Sequence, residues 1–335
     1  MKRIVCLLLS IIMLMSMNVS ATFEQIQDEE IVRTNTECFL SAVGSSQTIT
    51  SKASLYNCFD DAEAFLFILS EGGYVVVSNK DGHVIEYSPD GSQFLENAVR
   101  SGKLYYGGPQ TFLVKDENKY IDVFSRCEFV FFNSVISNVN SMRAIIIGQT
   151  RGSYLTAPTN YVAATNGWWC PITAVTNLLQ YYKDHKGYDV YPGAVSNVYA
   201  LRKALNGYSP FSPYIINAPI ALSALRVSHQ NDGGITFAGL QSFFYRSDVN
   251  TLNSVVTMHT GNKVKNQIEN GRPVLLHINT SSISSGATGG HIVMCYAYWE
   301  TSQTTYYIVN NTWGSNGVYI CADDVPSYYE MLYLY

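Results

Sequence analysis

Charge is scarce in this chain. Asp, Glu, Lys and Arg make up 14% of the 335 residues, and the net charge is −5 at pH 7. No block of Lys and Arg occurs, which argues against a nucleic-acid or anionic-membrane partner. Neither C-x-x-C nor H-E-x-x-H is present, so there is no zinc motif, and no metal or cofactor is expected. Long apolar runs are also missing beyond the N-terminus. The one that exists, Ile4 to Met17, is short, follows Lys2-Arg3 and precedes the small residues Val19-Ser20-Ala21. That pattern reads as an export signal over residues 1–21, and it predicts a secreted protein with no stable membrane insertion afterwards.

What is abundant points to a folded chain. Hydrophobic residues reach 47%, enough for a large core, and the length suits two domains. The 25 tyrosines, together with many Ser, Asn and Thr, suggest a polar, hydrogen-bonding surface. Six cysteines follow the signal: Cys38, Cys58, Cys127, Cys170, Cys295 and Cys321. Their spacing shows no compact disulfide framework. Cys295 and Cys321 lie in strand-like apolar runs and read as core, while Cys38 and Cys58 are candidates for a bridge.

Residues 22–145 read as a β-rich domain. Ala64 to Leu69 is a buried strand, Gly72-Gly73 breaks it, and Tyr74 to Val77 pairs with His83 to Tyr87 through Asn79-Lys80-Asp81-Gly82. A short helix begins near Phe94. Residues 134–160 turn rich in Asn, Ser, Gly and Thr, and mark a boundary open to proteolysis. In residues 146–335 a helix starts at Cys170, with short helices expected over 195–205, 237–245 and 262–269. Strands follow at 274–278, 291–299, 304–310 and 317–321. Helices first and antiparallel strands afterwards make an α+β domain.

Cys170 is the residue to explain. Ala174, Leu178 and Tyr182, with Val175 and Leu179, give the helix after it one apolar stripe. Pro171 suits a first turn, where its missing N–H costs nothing. A thiol at a helix start feels the positive end of the dipole, which favours the nucleophilic thiolate. Far downstream come Gly289-Gly290-His291 and Asn311-Thr312-Trp313-Gly314. Acyl transfer by cysteine needs a thiolate, a base and a group that orients the base. His291 fits the base, and Asn311 fits the orienting group, its amide oxygen accepting the imidazole N–H. Asn310 competes for that role, but strand alternation lets only one of the two face His291. Trp313 is placed to shield the bond from water. His277 reads as a core histidine, and His83, His185, His229 and His259 as solvent-facing.

Asn311-Thr312-Trp313-Gly314, Gly290-His291 and Asn270-Gly271-Arg272-Pro273-Val274 resemble segments of the papain-like cysteine peptidases. The stretch from Cys170 to Tyr182 is similar to the nucleophile segment of secreted bacterial peptidases of the streptopain type, and of peptidases related to bacteriocin-leader processing enzymes. Gly72-Gly73-Tyr74-Val75-Val76-Val77-Ser78 resembles a strand of the streptopain-type inhibitory pro-domain. The resemblance implies a papain-like fold, a helical half against an antiparallel sheet, preceded by a β-rich pro-domain that acts as intramolecular inhibitor. It also implies a Cys170–His291–Asn311 endopeptidase acting on proteins or peptides and made as a zymogen. The usual glutamine before the nucleophile is missing; Asn160 and Asn166 are the nearby amides, and Asn166 is the favoured side-chain donor of the oxyanion hole, beside the Cys170 N–H. Two other readings stay open: a cell-wall amidase or transglutaminase-like acyltransferase, and a catalytically inactive secreted interaction protein.

Overall fold

A computed structural model describes residues 29–117, 119–124, 126, 128–129, 151–155, 170–187, 254–258, 260–282, 288–325 and 330–335. The helices expected over 195–205 and 237–245 lie outside these residues. The chain opens with helix α1 over residues 29–42, which the sequence reading did not foresee. Its buried face is Val32, Asn35, Thr36, Phe39 and Leu40, a helical spacing whose middle turn is polar. Both polar groups find carbonyl acceptors. Asn35 Nδ2 donates to the Gly82 carbonyl at 3.0 Å, and Thr36 Oγ1 donates to the Val32 carbonyl at 2.8 Å.

The N-terminal half continues with β1 (Ile49–Tyr56), β2 (Ala62–Leu69), β3 (Tyr74–Ser78), β4 (Val84–Ser88), helix α2 (Ser92–Ser101), β5 (Leu104–Tyr106), β6 (Phe112–Asp116), β7 (Lys119–Asp122) and β8 (Glu128–Phe129). The second half holds β9 (Arg151–Tyr154), α3 (Cys170–Lys186), β10 (Ser254–Met258), α4 (Gly261–Glu269), β11 (Val274–Ser282), β12 (Thr288–Glu300), β13 (Thr305–Asn310), β14 (Asn316–Cys321) and β15 (Glu330–Leu334). This is an α+β architecture built on one large, mostly antiparallel sheet.

That sheet crosses from one half to the other. Its order is β10-β15-β11-β12-β13-β14-β4-β3-β2-β1-β5-β6-β7-β8, with β9 beside β12. The junction is β14 against β4, where Tyr319 pairs with Tyr87 and Ile320 with Glu86. Alternation along the strands sorts the core into layers. Val75 and Val77 of β3 join α1 and α3 in one cluster with Ile292, Met294 and Tyr296 of β12. Tyr74 and Val76 face the other way, onto Leu95 and Ala98 of α2. Val293 and Cys295 of β12 face Val264 and Ile268 of α4.

Among the described residues many tyrosines are buried rather than placed on the surface as expected. Tyr74, Tyr298, Tyr306 and Tyr307 are among the largest fully buried side chains. Several hydroxyls find internal acceptors, as Tyr306 does at the Val84 carbonyl and Tyr298 at the Glu269 carboxylate. Burial is affordable for tyrosine where its O–H keeps a partner. Cys295 and Cys321 are buried as expected, and Cys38 and Cys58 are thiols rather than a bridge; Cys127 lies outside the described residues. Among the described residues no helix is long and apolar enough to cross a membrane.

Side-chain contacts reinforce the β14–β4 junction between the halves. Phe39 of α1 is fully buried and packs edge-on against Tyr87 and against Trp299 and Tyr319 of the second half, with Tyr306 tilted beside it. His83 is not solvent-facing, since its ring lies between Asp81 at 2.5 Å and Asp324 at 2.9 Å. Burial alone would push the His83 pKa down. The Asp324 and Asp81 carboxylates outweigh that and hold it at about 10.

Phe39→Ala is expected to cost about 3–5 kcal/mol, read by denaturant unfolding, and to lower the transition reported by Trp299 together with that of the N-terminal half. An unmoved Trp299 transition would show that the halves are not coupled through this ring. The charged His83 contributes its full stability below the unfolded-state pKa of about 6.5 and loses it as pH rises through the folded value of about 10. The stability gap between wild type and His83→Gln should therefore narrow steadily across that window. A gap independent of pH would contradict the ion triad.

Candidate active site

Cys170 is the first residue of α3 and is 3% exposed. Pro171 takes the next position, inside the first turn, where backbone N–H groups have no partner within the helix. The last turn carries Lys183, His185 and Lys186, charges that complement the carbonyl end of the dipole. Two polar contacts fix the run of α3 across the sheet. Tyr182 donates to the Leu334 carbonyl at 2.7 Å, and Asn177 Nδ2 donates to Asn310 Oδ1 at 3.0 Å. Asn310 itself pairs with Met294 of β12.

His291 lies near the start of β12, opposite Asn279 of β11. Its Nε2 sits 2.8 Å from the main-chain carbonyl of Asn311. A carbonyl only accepts, so Nε2 carries the proton and Nδ1 keeps the lone pair. The indole of Trp313 stacks on the imidazole, with ring centroids 5.1 Å apart and planes 8° from parallel. Burial pushes the His291 pKa down to about 4, against the opposing pull of the Asn311 carbonyl. His291 is therefore neutral at pH 7.

Asn311 meets His291, but not through the expected atom. Its amide oxygen accepts from the N–H groups of Trp313 and Ser315, both at 2.9 Å. The Asn311 N–H in turn donates to the Ser315 carbonyl at 3.0 Å. Buried N–H groups need acceptors, and in this tight turn, with Thr312 at φ 64°, the Asn311 side chain supplies them. The main-chain carbonyl is left to hold the imidazole. Asn310 points elsewhere, to α3, so the two asparagines do diverge. Asn166 lies outside the described residues.

The sequence reading missed three participants from the N-terminal half. Gln110 Oε1 accepts from Asn311 Nδ2 at 2.9 Å. Gln110 is held by Glu86 and by the Tyr74 hydroxyl. One signal was present: a glutamate inside the strand Val84-Ile85-Glu86-Tyr87, all of it buried, breaks an apolar pattern and asks for a polar partner. A cavity of about 360 Å³ opens beside the turn, lined by Tyr74, Asp90, Phe94, Phe124, Asn311 and Trp313 among others. It too draws walls from both halves. Elsewhere, His83, Cys321 and Asp324 bring atoms able to ligate a cation within 4.8 Å of one another; both nitrogens of His83 are engaged by Asp81 and Asp324.

In a Cys170→Ala chain, the His291 ring resonances should titrate near 4, well under the usual value of about 6.5. A buried neutral imidazole contributes stability above the unfolded-state pKa and loses it as pH falls through the folded one. An NMR titration midpoint near the ordinary value would contradict the buried environment.

The model of the Peptidase_C39 like family matches residues 155–333, just over half of the chain. No curated protein matches the chain.

Proposed function

The chain belongs to the Peptidase_C39 like family, which points to a cysteine peptidase, and from that premise we propose a secreted endopeptidase working through Cys170, His291 and Asn311 on a papain-like fold. The observation that carries the reading is the imidazole held at Nε2 by Asn311, with Trp313 stacked on it. This arrangement leaves Nδ1 as the base.

The direction of α3 supports bringing the thiol to that base. Asn177 lies level with Met294 through Asn310, while Tyr182 reaches Leu334 on β15, further along the sheet. From Asn177 back to Cys170 is ~10 Å of helix. From Met294 back to His291 is ~10 Å of strand. We take these matching lengths to bring the helix start and the strand start together.

In this reading the Cys170 sulfur attacks the peptide carbonyl as His291 Nδ1 takes its proton. The Cys170 N–H and the Asn166 amide stabilise the oxyanion. The imidazolium then protonates the leaving amine, and the neutral ring activates the water that releases the acyl-enzyme. The cavity beside Trp313 has aromatic walls and one carboxylate, Asp90, a lining suited to an apolar peptide side chain.

Export rests on the N-terminal signal pattern, and the zymogen on the likeness of residues 72–78 to an inhibitory pro-domain strand. A second reading of the N-terminal half, as a retained part of the enzyme, is favoured by the core it shares with α3 and β12.

With a reducing agent present, wild type should hydrolyse casein and take up a thiol-reactive probe at Cys170, and Cys170→Ala should do neither. Casein hydrolysis retained by the variant would reject the mechanism, while release of peptidoglycan fragments without casein cleavage would favour the amidase. Mass spectrometry over time tests maturation: a fragment starting between Asn138 and Tyr154, formed only by wild type, marks self-cleavage.

A further inference from the structure

Gln110 occupies the turn between β5 and β6, closed by Gly107 N–H to the Thr111 carbonyl at 3.0 Å and Thr111 N–H to the Gly108 carbonyl at 3.0 Å. It is 2% exposed and has φ 62°. A non-glycine residue in the left-handed region is strained, and such strain persists where surrounding contacts enforce it. The contacts here are four hydrogen bonds. The Gln110 backbone N–H donates to Glu86 Oε2 at 2.7 Å. Its side-chain Nε2 donates to the same oxygen at 3.1 Å and to the Tyr74 hydroxyl at 2.9 Å, and its Oε1 accepts from Asn311 Nδ2 at 2.9 Å.

Donor and acceptor polarity makes this a directed chain. Glu86 Oε2 accepts the Gln110 backbone N–H and so is an acceptor whether or not the carboxyl is protonated; the amide nitrogen of Gln110 faces it and the amide oxygen faces away. The oxygen meets Asn311, so Asn311 turns its nitrogen to Gln110 and its own oxygen to the N–H groups of Trp313 and Ser315. That orientation closes the turn through Thr312, the second strained non-glycine residue at this contact. The closed turn aims the Asn311 carbonyl at His291 Nε2 and lays Trp313 on the ring.

We infer that Gln110 is a positioning residue for His291, acting through Asn311, so that the intact site is assembled from both halves of the chain. The inference rests, for its kinetic consequence, on the peptidase reading with the N-terminal half retained, but not for its structural one. Glu86 gains a purpose from it. This carboxyl is fully buried, and burial pushes its pKa up to about 8 against the hydrogen bonds from Gln110. A group so costly to bury is explained by the orientation it imposes on Gln110.

The test uses the full-length chain with Gln110→Met, which keeps the length of the side chain and removes its polarity. On a casein-derived peptide, kcat should fall about ten- to a hundredfold, the range for a catalytic group displaced by a small distance, with KM changed less than about twofold. The hydrogen-bonded Nε2–H proton of His291, observed by NMR in histidine-labelled wild type, should shift or vanish. If Gln110→Met does not fold, Gln110→Leu, which also removes the acceptor facing Asn311, is read by the same two measurements. Unchanged kcat would overturn the inference, as would a loss carried by KM alone. A fall in kcat with the Nε2–H signal unmoved would overturn it as well, since a mere clamp between the halves would behave that way. If wild type cleaves no peptide, the peptidase reading with a retained N-terminal half fails, and the NMR comparison still decides the positioning role.

Discussion

The bond from His291 Nε2 to the carbonyl of Asn311 is the constraint on which the site depends. It fixes the tautomer of a fully buried imidazole, and with it the nitrogen that can act as base. A main-chain acceptor is a firm way to do this, because its position is set by backbone geometry rather than by a rotamer. The turn that presents it is closed by the Asn311 amide oxygen and by a left-handed Thr312. The side chain thus orients the imidazole indirectly, by shaping the loop that carries its own carbonyl.

The electrostatics suit a neutral resting state. Burial depresses the His291 pKa to about 4, so the ring by itself holds no second proton at neutral pH. A thiolate at a helix start would stabilise the imidazolium by opposite charge once proton transfer occurs. The asparagine brings no charge to this arrangement, which in the proposed mechanism leaves the proton exchange to the thiol and the imidazole. On the far side of the β14–β4 junction, His83 illustrates the opposite outcome. Two carboxylates there overcome burial and keep the ring charged. One fold therefore tunes two histidines in opposite directions by the company each keeps.

Local pattern revealed those parts of the fold that local physics determines. The β3–β4 hairpin, the helix opening at Cys170, and strands β11 to β14 follow from alternation, turn residues and an apolar stripe. Helix α1 escaped notice because Asn35 and Thr36 interrupt its apolar face while bonding internally. Tyrosine burial was hidden for a similar reason: the hydroxyls find acceptors that only tertiary structure supplies. Of the site, the nearness of His291 to Asn311 was legible from adjacent strands, and Trp313 from its place in the same turn. The contacting atom was not, since it depends on the needs of the Trp313 and Ser315 N–H groups. Nor was Gln110, which reaches Asn311 across a sheet junction between segments remote in sequence.

The central claim is that Cys170 and His291 act as one unit, and the pH profile of Cys170 alkylation by iodoacetamide measures that most directly. The account predicts a wild-type reactivity midpoint well below the usual thiol value of about 8.5, moving up toward that value in His291→Ala. Superimposable profiles for the two proteins would mean that the imidazole does not govern the thiol, and the account would be wrong.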